Sequence, residues 1–266
     1  MNNKPVLFLD SGIGGLLYCA EFKEKNPREN VFYLADTKNF PYGGRSKEEL
    51  IFLLTQLTKK IIKIIDPKII IISCNTATIS AIDSLRESFP GVHFVGTVPA
   101  IKPAAKMSKT GIVGLLGTAR TIDDPYNQSL SQGCEIKGIA APDLVEFVEK
   151  RMDNAGTEEK IKIVRKYIDL FRVKGVDTLV LGCTHFLHLL DEFKREASPG
   201  IKVFDSLDGI TRRVEFLLEE NKNALMADSG AQPVYKMLLT SAQANDLSWQ
   251  NRSAKMGFAL CVLDEI

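Results

Sequence analysis

Lys68-Ile69-Ile70-Ile71-Ile72-Ser73-Cys74-Asn75-Thr76-Ala77 is the stretch that decides how this chain folds. Four consecutive isoleucines are apolar on both faces, the pattern of a strand in the middle of a parallel sheet covered by helices. The run ends on a cysteine followed by small polar residues. A second stretch, Asp177-Thr178-Leu179-Val180-Leu181-Gly182-Cys183-Thr184-His185-Phe186, repeats the pattern, with Cys183 standing 109 positions after Cys74.

The flanking elements keep that spacing. Residues 6–9 read as a short buried strand, followed by the glycine-rich turn Asp10-Ser11-Gly12-Ile13-Gly14-Gly15 and an apolar helix over 16–22. Residues 31–35 form a second strand ending at Asp36, and 39–45 is a loop carrying Phe40 and Tyr42. Ser46 and Glu49 make a capping box, which opens a helix whose apolar face is Leu50, Leu53, Leu54, Leu57, Ile61 and Ile65; Asp66-Pro67 stops it. Beyond Cys74 the pattern turns helical as far as Pro90-Gly91, and 92–95 is another strand.

The second half replays the first. Residues 111–116 with Gly117-Thr118 answer 6–9 with Asp10-Ser11 at an offset of 107. Residues 135–140 and then Pro142 take the place of the second strand and its loop, and 202–204 answer 93–95 at 109. An offset that stays within 107–109 through three strands implies an α/β chain of two similar, pseudo-symmetric lobes, each with a mostly parallel sheet flanked by helices. Gly96-Thr97-Val98-Pro99 reads as the crossing point, so lobe 1 comprises 1–97 plus 208–266 and lobe 2 comprises 98–207. A helical pattern at Ile210, Val214, Leu217 and Leu218 is expected to return and cover the first lobe.

Composition narrows the function classes. The 266 residues are 45% hydrophobic and 25% charged, with a net charge of +1 and no basic or acidic block. That balance favours a small-molecule substrate over nucleic acid or an anionic membrane. No apolar run approaches the ~20 residues of a spanning helix, and 6–9 is too short for a signal-peptide core. Five scattered cysteines in such a chain read as reduced thiols of a cytoplasmic protein.

Ligands of open α/β sheets bind beyond the carboxyl ends of the strands. Asp10-Ser11, Cys74-Asn75-Thr76, Gly117-Thr118 and Cys183-Thr184-His185 stand at those ends. If the lobes face one another, all four groups line an active site in the cleft between them. A sulfur where a helix begins is favoured as thiolate by the helix dipole and free N–H groups. Two such sulfurs can invert a carbon acid: one, as thiolate, removes a proton from one face while the other, as thiol, delivers one to the opposite face. Ser11, Asn75, Thr76, Thr118 and Thr184 would hold the substrate carboxylate and its developing charge. Cys19, on the apolar face of its helix, and Cys134 and Cys261, without polar companions, read as structural.

Two other sites compete. Cys183, His185 and His188 with Cys74 could supply zinc ligands, although no CxxC pair is present and only one of the two histidines need face the cleft. His93 is read as a strand or surface residue. Gly12-x-Gly14 followed by Asp36 imitates a dinucleotide fingerprint, but position 17, where the third glycine belongs, is Leu17. No cofactor or metal is expected.

Asp10-Ser11-Gly12-Ile13-Gly14-Gly15, Pro41-Tyr42-Gly43 with Arg45-Ser46, Cys74-Asn75-Thr76-Ala77, Gly117-Thr118 with Thr121, and Gly182-Cys183-Thr184-His185 together resemble the motifs of glutamate racemases, in the cofactor-independent aspartate/glutamate racemase superfamily. The resemblance implies interconversion of L- and D-glutamate, supplying D-glutamate for peptidoglycan, by an enzyme that is commonly a homodimer. It implies that Cys74 takes the proton of the D-isomer with help from Asp10, and Cys183 that of the L-isomer with help from His185. Asp10, Ser11, Tyr42, Gly43, Asn75, Thr76, Thr118, Thr121, Thr184 and His185 would meet the substrate, and Glu149 corresponds to an assisting glutamate of some members. Phe186-Leu187 stands where the family often has Tyr-Pro, and Ala141 where it often has cysteine. A racemase for aspartate or another acidic amino acid, and an inactive descendant that only binds an amino acid, are the alternatives; the second would be marked by loss of one sulfur.

Overall fold

The computed structural model describes residues 2–220, 232–241 and 246–265. The chain divides into two compact units, one of Met1–Thr97 with Leu207–Ile266, the other of Val98–Ser206. Helices and strands are numbered in chain order.

The first unit begins with β1 (Val6–Asp10), α1 (Leu16–Lys25), β2 (Val31–Ala35), a 3-10 turn (Tyr42–Gly44), α2 (Lys47–Ile64), β3 (Ile69–Ile72), α3 (Asn75–Ser88) and β4 (His93–Gly96). After the second unit the chain returns as α10 (Leu207–Glu220), β9 (Tyr235–Leu239), α11 (Leu247–Met256) and β10 (Ala259–Val262). Six strands make one sheet in the order β10-β9-β2-β1-β3-β4, with every pairing parallel. All four isoleucines of β3 are fully buried between β1 and β4, which explains why that run has no polar face. At the foot of β3 the buried Lys68 ammonium pairs with Glu29, and burial draws its pKa down against that partner. His93 opens the outer strand β4 with its side chain exposed, so it is a surface strand residue.

The second unit contains α4 (Ile101–Met107), β5 (Ile112–Gly117), α5 (Ala119–Asp123), α6 (Pro125–Ser129), β6 (Glu135–Ala140), α7 (Pro142–Lys150), α8 (Thr157–Val173), β7 (Thr178–Leu181), a 3-10 segment (Thr184–Leu189), α9 (Leu190–Ala197) and β8 (Lys202–Phe204). Its sheet runs β6-β5-β7-β8, again all parallel. This is the order β2-β1-β3-β4 of the first unit, strand for strand. The internal repeat is therefore a repeat of topology as well as of sequence spacing.

Three local expectations need correction. Pro142 opens helix α7 and no loop follows β6: proline at the first helical position loses no hydrogen bond there, and Asp143 adds a favourable charge in the first turn. Cys183 opens a six-residue 3-10 segment and not an α-helix, which starts only at Leu190. The returning chain packs α10 against α1, but it also lengthens the sheet, with β9 alongside β2 and β10 beyond it.

The capping box of α2 is complete, with Ser46 Oγ accepting from the Glu49 amide at 3.1 Å and Glu49 accepting from the Ser46 amide at 2.8 Å. Leu50, Leu54 and Ile61 are fully buried, and so is Thr58, whose hydroxyl has no partner among the described residues. Two substitutions on this helix should therefore act in opposite directions. Ser46→Ala should cost about 1 kcal/mol and lower the melting temperature by about 2–4 °C. Thr58→Val, which removes an unpaired buried hydroxyl at nearly constant volume, should leave the melting temperature unchanged or raise it. Thermal unfolding followed by circular dichroism checks both.

Candidate active site

In each sheet the chain leaves the first strand toward one side and returns to form the third on the other. The crevice at the carboxyl ends of β1 and β3, and its counterpart at β5 and β7, is thus a topological switch point. The sequence-predicted residues divide between these two places, one set in each unit.

In the first unit, the Ser73 amide donates to the Leu9 carbonyl at 2.8 Å and its hydroxyl to the same oxygen at 3.0 Å. The end of β3 is thereby tied to the end of β1, so Cys74 leaves the sheet beside Asp10. Cys74 is the N-cap residue of the 14-residue α3, in extended conformation and without a side-chain cap. Its sulfur adjoins the positive end of the helix dipole. Asn75 follows at the first helical position, 2% exposed, and neither its amide nitrogen nor its oxygen has a partner among the described residues. Thr76 is buried beside it. A buried amide at a helix N-terminus with unused hydrogen-bonding capacity suits a carboxylate ligand.

Asp10 is fully buried, and its Oδ1 accepts from the Ser11 and Gly12 amides and the Ser11 hydroxyl. Gly15 must be glycine: a Cβ there would collide with Ser73 Oγ and lie 3.0 Å from Asp10 Oδ2. Tyr42 and Gly43 lie in the 3-10 turn; the Tyr42 phenol is buried and donates to Asp36 Oδ2 at 2.7 Å. Burial, then the neighbouring Asp36, Cys74 and Asp10, push the Tyr42 pKa well above its ordinary value, so it remains a donor. Asp36 also accepts from Asn39 Nδ2, at 3.1 and 2.9 Å, and from Thr240 Oγ1 at 2.7 Å. A carboxylate so engaged is a bracket for the Tyr42 loop. Its role escaped the sequence reading because Thr240, at the end of β9, lies 204 residues away. The Asp36-to-Asn39 spacing of three was the local signal.

In the second unit, the Gly182 amide donates to the Leu116 carbonyl at 2.7 Å, the counterpart of the Ser73–Leu9 bond. Cys183 and Thr184 are buried. Cys183 Sγ lies 3.8 Å from His185 Nδ1, and His185 Nε2 lies 2.9 Å from Glu149 Oε2 on α7. A carboxylate on Nε2 keeps a proton on that nitrogen, so Nδ1 either accepts from the thiol or, protonated, donates to the thiolate. Burial alone would lower the His185 pKa, but the hydrogen bonds and charges of Cys183 and Glu149 outweigh it and hold the pKa well above its ordinary value. The Thr118 hydroxyl caps α5 by accepting from the Thr121 amide at 3.3 Å, and the two hydroxyls are 3.0 Å apart.

The other thiols differ. Cys19 is fully buried, and burial drives its pKa well up despite Lys23, which keeps it a neutral core thiol. Among the described residues, no group of three or more His, Cys, Asp or Glu side chains is arranged to hold a metal ion, and no helix is long and apolar enough to cross a membrane.

Comparison with known proteins gives a consistent answer. A family model described as Asp/Glu/Hydantoin racemase matches residues 29–214. The chain is 36% identical over 222 residues to a glutamate racemase of Herpetosiphon aurantiacus, covering 82% of this chain and 86% of that protein. It is 32% identical over 250 residues to one of a Shewanella species, covering 92% and 91%. Among solved structures it is similar to Escherichia coli glutamate racemase in complex with L-glutamate and the activator UDP-MurNAc-Ala, with a TM-score of 0.82, 28% identity and 97% of both chains covered. It is also similar to a glutamate racemase of Bacillus anthracis, with a TM-score of 0.81, 25% identity and 98% and 97% covered. The chain belongs to the Asp/Glu/Hydantoin racemase family.

Proposed function

We propose that this racemase interconverts L- and D-glutamate by proton transfer between two cysteines, and that it supplies D-glutamate for peptidoglycan in the cytoplasm. One observation carries the reading: each of two sheets with the same strand order presents a cysteine at its switch point, followed directly by small polar groups. The names of the relatives supply the substrate.

In this reading the two units are lobes, 1–97 plus 208–266 and 98–207, that enclose one substrate and bring Cys74 and Cys183 to opposite faces of its α-carbon. With D-glutamate, the Cys74 thiolate removes the α-proton and the Cys183 thiol delivers its own to the opposite face. Cys74 ends as thiol and Cys183 as thiolate, ready for the reverse turnover. The carbanion's charge spreads onto the substrate carboxylate, where Asn75, Ser11, Thr76, Thr184 and backbone N–H groups stabilise it. Asp10 assists on the Cys74 side. His185, oriented by Glu149, assists on the Cys183 side by holding or releasing the proton next to the sulfur. Tyr42 and Gly43, on a loop anchored by Asp36, and Thr118 with Thr121 complete the substrate contacts. The active assembly is a homodimer.

The test is incubation with each glutamate enantiomer in heavy water. Deuterium should enter the α-position together with inversion; exchange with retention, or none, would sink the two-base reading, and faster turnover of aspartate would sink the choice of substrate. Cys74→Ser and Cys183→Ser should each lose about 10²–10⁴-fold in kcat with the circular dichroism spectrum unchanged. The raised His185 pKa also has a stability consequence. A raised basic group contributes fully below its ordinary value of 6.5 and loses its contribution as pH rises through the raised one. The melting-temperature deficit of His185→Gln should therefore be largest near pH 6 and shrink toward alkaline pH. A deficit independent of pH would show that the imidazole is not held protonated.

A further inference from the structure

Loop 11–15 is buried along its whole length, so each of its backbone groups needs a partner inside the protein. Several are met locally: the Leu16 amide donates to Ile13 C=O at 3.1 Å and the Cys19 amide to Gly15 C=O at 3.3 Å. Gly12 is different, because its carbonyl accepts from a side chain on another strand. Tyr33 lies on β2, paired in register with Phe8 of β1, and is fully buried. Its hydroxyl reaches past the strand end and donates to Gly12 C=O at 2.5 Å. On the other side of the same residue, the Gly12 amide donates to Asp10 Oδ1 at 3.3 Å. Gly12 is thus clamped between a phenol and the carboxylate that stands beside Cys74.

We propose that Tyr33 is a positioning residue for racemisation: by fixing the Gly12 carbonyl, its hydroxyl sets the orientation of the Asp10 carboxylate and the Ser11 hydroxyl. This rests on the reading of Asp10 as the group that assists Cys74. Phenylalanine at 33 would keep the ring's packing and remove only the donor. The Gly12 carbonyl would then be buried without that bond, and the peptide plane would be free to tilt. The tilt would carry with it the amides of Ser11 and Gly12 that hold Asp10 Oδ1. Misorientation of a group that acts on the reacting proton lowers turnover more than it lowers substrate binding.

The experiment compares wild type, Tyr33→Phe and Leu218→Ala, the last a truncation of a buried side chain on α10 that controls for general destabilisation of the first unit. Hydrogen exchange of the free proteins is read over residues 10–15 and over β2, and glutamate racemisation is measured as a function of pH. In Tyr33→Phe, exchange over 10–15 should accelerate about tenfold while β2 stays protected. Its kcat should fall about tenfold with KM nearly unchanged and with a displaced pH profile. Leu218→Ala should keep the loop protected and the wild-type pH profile. Unchanged exchange over 10–15 in Tyr33→Phe would overturn the clamp. A loosened loop with wild-type kcat and pH profile would overturn the positioning role. Wild-type protein that leaves both glutamate enantiomers untouched would overturn the function itself, and the exchange data would then still decide whether Tyr33 holds the loop.

Discussion

The residues at the switch point of the first sheet are placed by one backbone hydrogen bond, from the Ser73 amide to the Leu9 carbonyl at 2.8 Å. It is the last rung between two parallel strands whose chains then diverge to opposite sides of the sheet. Because the rung holds the ends of β1 and β3 level, Asp10 and Cys74 leave the sheet side by side. The Gly182–Leu116 bond does the same between β5 and β7, and there it sets Cys183 beside the Gly117-Thr118 turn. Parallel pairing forces such ends to coincide, since every strand's carboxyl end lies along one edge. Whatever residue ends β3 or β7 stands at the crevice of its sheet.

The two sulfurs occupy equivalent places in the sheets and unlike surroundings. Cys74 has the N-terminus of a 14-residue α-helix and no titratable base on the residues that directly follow it. Cys183 heads a 3-10 segment of six residues, where the dipole is smaller, and has instead an imidazole 3.8 Å away that is itself held by Glu149. The difference arises between β6 and the end of α7. Where the first unit has the Tyr42 loop, the second has a helix, and that helix brings Glu149 to His185.

Around the switch point of the first sheet, buried polar groups are hydrogen-bonded to one another. Asp36 takes hydrogen bonds from Asn39, Tyr42 and Thr240, which links the aromatic loop to the end of β9. Gly15 lets Ser73 approach closely, and Tyr33 takes up the Gly12 carbonyl. Asn75 stands out against this background, with neither of its side-chain polar atoms partnered among the described residues. A buried amide in this state has both a donor and an acceptor position to offer.

The sequence by itself determined the elements and their repetition. Isoleucine runs without a polar face can only be central strands, Ser46 with Glu49 can only start a helix cleanly, and a cysteine at the same offset in both halves was visible by counting. These are short-range signals, carried by neighbours within a few residues, and they were enough to reach two parallel sheets. The tertiary structure alone decided the long-range partners. The Thr240–Asp36 and Tyr33–Gly12 bonds and the approach of Glu149 to His185 join residues 204, 21 and 36 positions apart. The β9 strand, Tyr-Lys-Met-Leu-Leu, is too brief and too mixed to announce itself, and becomes a strand because β2 offers it an open edge. Helix α7 replaced an expected loop for a similar reason: Leu144, Phe147 and Val148 have a core to enter, and only the folded chain shows where that core is.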